Sequence, residues 1–269
     1  MPWAFLILWA LALLPSGLPE PLHPVEPAAP AVSMVQVRAN AVEAKARRAR
    51  KTEGLRPWEQ YRYVTCSHHK AGVDLWGWLT KKVFEGLGLN MTQDFGCWNF
   101  ECDGLAKLVC YNREAPVRSE MDCCSLDTVQ NEQAAYPWQP MRVANTVRDP
   151  LDMVASAYCY HHRGMEWYYP VYGGVEVMNM GLHEGVRFMA QKMLDVAANM
   201  TSLHENPHAE THALRFEIMS ATSAGFDAEV EKLIDFWFHG LITEDERKKA
   251  IELARTMDLH RYPQLEVEG

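Results

Sequence analysis

The sequence predicts an α/β protein with three layers, a central parallel sheet with helices on both faces. Short β-rich runs at 61–66, 106–111, 142–147 and 213–217 alternate with helical periodicity at 73–87, from Pro150 onward, at 175–199 and at 226–238. Strands alternating with helices build parallel sheets covered on both sides. In addition, YRYVTC runs directly into a glycine-bearing loop and a helix, and VANTV runs through Arg148-Asp149-Pro150 into another helix. Such strand–loop–helix units are the repeating pieces of this architecture.

In chain order, 3–15 reads WAFLILWALALLP and is almost wholly apolar. It is short for a membrane span and fits a signal peptide over 1–17, or a signal anchor if it is not cleaved. Residues 18–57 read as a stem. Its first part is proline-rich, and its second carries the basic run Arg47, Arg48, Arg50 and Lys51. The folded domain is expected over 58–269, long enough for a full α/β core.

Within that domain, Leu75, Trp76, Leu79, Val83 and Leu87 share one helical face, and Gly86 and Gly88 end the helix. Residues 92–104 read as loop and 112–140 as irregular, with an acceptor-facing loop and a short strand. After the 142–147 strand, Asp149 suits an N-cap and Pro150 the first helical position. His161 and His162 are expected to cap the C-terminal end of that helix, where cations are favoured. Trp167, Tyr168, Tyr169, Pro170 and Tyr172 form an aromatic cluster. It fits either a substrate wall of flat rings or a packed corner. Thr243 and Glu246 form a capping box that opens the last helix.

The net charge of -9 excludes a general nucleic-acid binder, which would be basic. Of seven cysteines, Cys97, Cys102, Cys110, Cys123 and Cys124 crowd into a loop-rich stretch. Loop cysteines at that density pair in an oxidising compartment, while Cys66 and Cys159, in predicted strand and helix, are expected to be reduced. No C-x-x-C with matching His spacing occurs, which argues against zinc. Asn90 and Asn199 head N-glycosylation sequons.

Two segments carry chemistry. In the loop Ser67, His68, His69, Lys70, Ala71, Gly72, Val73, a glycine lets backbone amides approach an anion at a helix N-terminus. The lysine sets positive charge where a leaving oxygen turns negative. It is not a Walker A loop, which needs two glycines before its lysine, whereas Gly72 follows Lys70. At the second segment, Arg148 closes a strand and Ser156 lies two turns into the next helix, a geometry that can aim a guanidinium and a hydroxyl at one anion.

Together these segments resemble the cofactor motifs of sulfotransferases that use 3′-phosphoadenosine 5′-phosphosulfate (PAPS), closest to Golgi-type and algal-style members. Ser67, Lys70 and Gly72 match the family's 5′-phosphosulfate loop, S-x-x-K-[TS]-G-T, and Arg148 and Ser156 match its 3′-phosphate segment. The ALRFE stretch resembles the L-R-[FY]-E block that packs beside the cofactor. The resemblance implies a P-loop-like fold and transfer of a sulfuryl group from PAPS, without a metal, to a hydroxyl acceptor such as a glycan or small molecule. It also implies residence in the secretory pathway, in the Golgi lumen or secreted. The chain departs from the pattern at Ala71 and Val73, where the family has threonines, and Asp74 adds a like charge beside the loop. Each lost hydroxyl contact to a charged partner costs about 1–3 kcal/mol. Only Arg255 and Arg261 stand where the family supplies a late basic segment.

Transfer to a hydroxyl needs a proton acceptor. The resemblance points to a carboxylate after the loop, and Asp94, Glu101 and Glu85 are the candidates; the window before the Arg148 turn, where cytosolic members carry a histidine, holds Asp127 and Glu132 but no His. His69 is nearer the loop and titrates in the right range. The rival expectations are a non-catalytic relative that binds glycan or protein, and a P-loop nucleotide phosphotransferase, which would need Mg²⁺.

Overall fold

The computed structural model describes residues 54–96, 112, 114–121, 124–167, 172–207 and 209–263. After a one-turn helix α1 (Pro57–Gln60), β1 (Arg62–Ser67) leads into α2 (Val73–Gly86). Then come β2 (Phe95–Gly96), β3 (Val117–Met121), α3 (Leu126–Ala135), β4 (Met141–Val147) and α4 (Pro150–His162). The remainder is α5 (Gly174–Met178), α6 (Leu182–Ser202), β5 (Glu210–Arg215), α7 (Phe216–Ala221), α8 (Ser223–Phe238) and α9 (Glu244–Arg255).

The five strands form one sheet in the order β2-β3-β1-β4-β5, and every pairing is parallel. The expected three-layer α/β architecture is therefore present. Alternation along the strands splits the core between two faces. Tyr63, Val117, Ala144 and Leu214 face Trp76, Leu79, Phe84, Trp237 and Ile251 of α2, α8 and α9. Val64, Cys66 and Val143 face Val129 of α3 and Leu203. A third apolar group joins Ala71 to Met153 and Ala157 of α4 and Met189 and Met193 of α6.

Asp149 caps α4 by accepting from the Leu151 N–H, with Pro150 at its first position, and Thr243 and Glu246 close the expected capping box on α9. Other expectations are corrected. The 112–140 stretch holds the short strand expected there, β3, but also the whole of α3, where no helix is expected. The helix expected over 175–199 is two helices, because the chain breaks at Met178 and restarts after Gly181. The strand expected over 213–217 begins three residues earlier, and Phe216 and Glu217 open α7.

Cys66 is not reduced as expected but bonded to Cys124 across 58 residues, while Cys159 is free and exposed. The residues 1–53, the strand expected over 106–111, and Cys97, Cys102, Cys110 and Cys123 lie outside the described residues. Among the described residues no helix is long and apolar enough to cross a membrane.

Candidate functional site

The site sits where β1 and β4 end side by side. They are neighbours in the sheet, and the chain leaves β1 toward β2 and β4 toward β5 on opposite sides. Diverging connections open a crevice at the carboxyl ends of such strands, where α/β proteins hold ligands.

Past Ser67 the loop turns sharply. The Ala71 N–H donates to the His68 carbonyl at 2.8 Å, Lys70 takes a left-handed backbone (φ 60), and Gly72 does so as well (φ 86). Gly72 is the N-cap of α2 and provides no side-chain cap. Gly72 thus leaves the first amides of α2 without an N-cap side chain, and with the helix dipole behind them they can take an external acceptor.

Arg148 reaches across from the end of β4, and its Nη1 donates to the Lys70 carbonyl at 2.8 Å. The sequence-predicted loop and arginine are thus brought together. Phe216 completes the wall. Its ring lies 4.7 Å from the Arg148 guanidinium, and a Cβ on Gly72 would stand 2.7 Å from it. Glu217 accepts from the Asp149 N–H at 2.7 Å, tying α7 to the turn before α4. The ALRFE stretch therefore sits against both anion-binding segments. Ser156 is half-buried on α4, and Val73 opens α2.

Ala71 is fully buried in the apolar group under α4 and α6, which explains its departure from a hydroxyl residue. His68 is also buried and bonds through Nε2 to the Cys124 carbonyl at 3.0 Å.

Behind the loop lies a polar cluster that sequence reasoning did not assemble. The Lys70 ammonium donates to Glu166 Oε2 at 2.8 Å and stands 3.7 Å over the Tyr160 ring. His69 Nε2 lies 2.9 Å from His161 Nε2, and His69 stacks on Tyr172 with ring centroids 3.7 Å apart. Burial pushes both imidazoles down to about 3, with the Lys70 charge adding to the effect, so both rings are neutral at neutral pH. Glu166, like Lys70, has a left-handed backbone (φ 58). Strain of that kind gathers at functional sites.

The structure places the acidic residues and His69 as follows. His69 faces the buried cluster, and an imidazole held so far below neutrality is a poor proton acceptor there. Asp94 lies at the wrong end of the sheet. Its carbonyl accepts from Val117, which pairs with Tyr63 at the start of β1, whereas Lys70 follows the end of β1. Glu85 is in the last turn of α2, on the order of 18 Å along the helix from the loop. Glu132 is buried in ion pairs with Arg62 and Arg118. Glu101 lies outside the described residues.

His161 does not cap α4 but packs inward on His69, and Arg163 serves the helix end by donating to the Cys159 carbonyl. Arg255 and Arg261 both pair with Asp227 of α8 rather than standing open. Of the aromatic cluster, Tyr172 is buried against His69 and Trp167 is exposed, while Tyr168, Tyr169 and Pro170 lie outside the described residues.

The arrangement can hold an anion at the α2 amides and a second one near Arg148, while the Lys70 ammonium is held behind the loop by Glu166. No family model matches the chain, and no curated protein matches it in sequence.

Proposed function

We propose that the protein is a sulfotransferase of the secretory pathway, moving a sulfuryl group from PAPS to a hydroxyl acceptor such as a glycan or small molecule. The observation that carries this reading is the hydrogen bond from Arg148 to the Lys70 carbonyl, 2.8 Å long. It joins the two motif segments at one end of the sheet, as a single ligand carrying two anionic groups would require.

In this reading the 5′-phosphosulfate lies on the Ser67–Val73 loop and the first amides of α2, which favour an anion. Lys70 leaves Glu166 for the bridging oxygen and neutralises the charge that develops there as sulfur departs. Arg148 and Ser156 take the 3′-phosphate. The apolar packing of Ala71 removes a hydroxyl from the loop, so more of the binding falls on backbone amides and Lys70.

Calorimetry of the full chain with 3′-phosphoadenosine 5′-phosphate tests this directly. Binding is expected at micromolar ligand and is weakened in Arg148→Ala by the about 1.5–3 kcal/mol that a charged hydrogen bond contributes. ADP, which lacks the 3′-phosphate, is expected to bind more weakly and to show little response to Arg148→Ala. Lys70→Ala is expected to abolish sulfuryl transfer from PAPS to an accepted hydroxyl. Absence of heat with the bisphosphate would overturn the reading in favour of a non-catalytic binding protein.

A further inference from the structure

We propose that His69, His161 and Glu166 form a binding site for one divalent transition-metal ion of the zinc class, beside the phosphate loop. The inference does not rest on sulfuryl transfer. It rests on a triangle of donor atoms. His69 Nε2 and His161 Nε2 are 2.9 Å apart, and Glu166 Oε2 lies 3.3 Å from His161 and 3.8 Å from His69. All three atoms fall within 4.8 Å of one another. A tetrahedral ion with bonds of about 2.0–2.2 Å has ligand–ligand edges of roughly 3.3–3.6 Å. Shifts of a few tenths of an ångström therefore close this triangle on such an ion.

The donors are held in place by their surroundings. The His69 ring lies face to face on Tyr172, with an interplanar angle of 8°. His161 is fully buried on α4, and its Nδ1 has no partner among the described residues, so Nε2 is its polar contact with the cluster. Glu166 comes from the turn just beyond α4 in a left-handed backbone that costs about 1–2 kcal/mol.

Two neutral imidazoles that meet through Nε2 can share only one proton between those atoms, whereas a cation engages both lone pairs at once. Two imidazoles with one carboxylate suit zinc, copper, nickel or iron rather than the all-oxygen sites of magnesium and calcium.

Lys70 makes the site conditional. Its ammonium stands 2.8 Å from the same Glu166 oxygen, so ammonium and metal compete for it. An ion that takes Glu166 releases Lys70 toward the loop, and a ligand that draws Lys70 into the loop favours the ion by the same factor.

The test is titration of the full chain, stripped by a chelator, with Co²⁺ and then Zn²⁺, followed by visible absorption and calorimetry. One equivalent of Co²⁺ is expected, with the intense absorption of four- or five-coordinate cobalt, displaced by Zn²⁺. Glu166→Gln and His161→Gln are expected to weaken binding by at least the roughly 10–100-fold that even outer-shell changes cost. Circular dichroism checks that both variants fold, and the half-buried Glu166 provides the safer one. Lys70→Met is expected to tighten binding, an effect no merely structural role predicts. The proposal is overturned if the wild type takes up no stoichiometric ion, if uptake is unchanged in a folded Glu166→Gln, or if Lys70→Met weakens it. Bisphosphate calorimetry on the metal-free chain reports separately on the sulfotransferase reading.

Discussion

At Gly72 a single residue serves the loop and the wall at once. Its backbone is left-handed, and any Cβ would meet the Phe216 ring at 2.7 Å. Both facts oppose a side chain, for different reasons: the first through backbone sterics, the second through the ring that lies over Arg148. Gly72→Ala is expected to cost about 1–2 kcal/mol from the backbone alone, plus the displacement of Phe216. Adding Phe216→Ala to Gly72→Ala should recover the steric part and leave the backbone part, which urea denaturation of the two single variants and the double one separates. A neutral Gly72→Ala would mean that position 72 is not left-handed. The importance of this glycine was legible in the sequence, because phosphate loops need close backbone approach. Its partner Phe216 stands 144 positions later, and nothing local at either residue names the other. The same holds for His69 and Glu166, brought together only by the fold.

Among the elements, those with strong local signals were legible. β1, α2, β4, α4, α8 and α9 have regular apolar spacing, glycine stops or side-chain caps, and each forms close to its expected place. The place of β3 within its irregular stretch was not legible, since it reads Val-Arg-Ser-Glu-Met and looks like surface. Its Glu120 is buried nonetheless, because Arg118 pairs with both Glu120 and Glu132. Charges neutralised by distant partners defeat a pattern read along the chain. The bond between Cys66 at the end of β1 and Cys124 just before α3 was missed likewise, since a cysteine in an apolar strand resembles core. It fastens α3 to the sheet beside the site, with His68 on the Cys124 carbonyl. Loss of the bridge in Cys66→Ala/Cys124→Ala is expected to cost about 2–4 kcal/mol, chiefly by freeing the unfolded chain. Equal denaturation midpoints for the double variant and the oxidised parent would show that the bridge carries no stability. Both cysteines are fully buried, so a reductant should act slowly on the native state, and comparing variants is the cleaner measurement.

For the whole molecule, the strand order decides where chemistry can occur. Placing β1 beside β4 gathers the loop, Arg148 and the α4 turn at one end of the sheet, and it carries two histidines into the interior with them. That burial gives the protein a pH dependence whose sign can be worked out. His69 and His161 are held down to about 3 in the folded state by burial and the Lys70 charge, against an ordinary value of 6.5. Around the pair stand Lys70, Glu166, Tyr160 and Tyr172, and of these only the Glu166 carboxylate favours protonation of His69. Below 6.5 the unfolded chain takes up protons that the folded one refuses, so stability falls as pH falls through the window from 6.5 toward 3. The slope approaches about 1.4 kcal/mol per pH unit for each ring. Burial lowers His204 and His212 as well, and both add in the same direction. Denaturation midpoints of the chelator-treated chain should therefore drop between pH 7 and about 5, before most carboxylates titrate. His69→Phe, which keeps a ring against Tyr172 but cannot titrate, is expected to flatten that profile. A profile level across this range in the parent chain would mean that the two imidazoles take up protons in the folded state as readily as in the unfolded one. The Lys70–Glu166–histidine arrangement would then have to be redrawn around a charged pair.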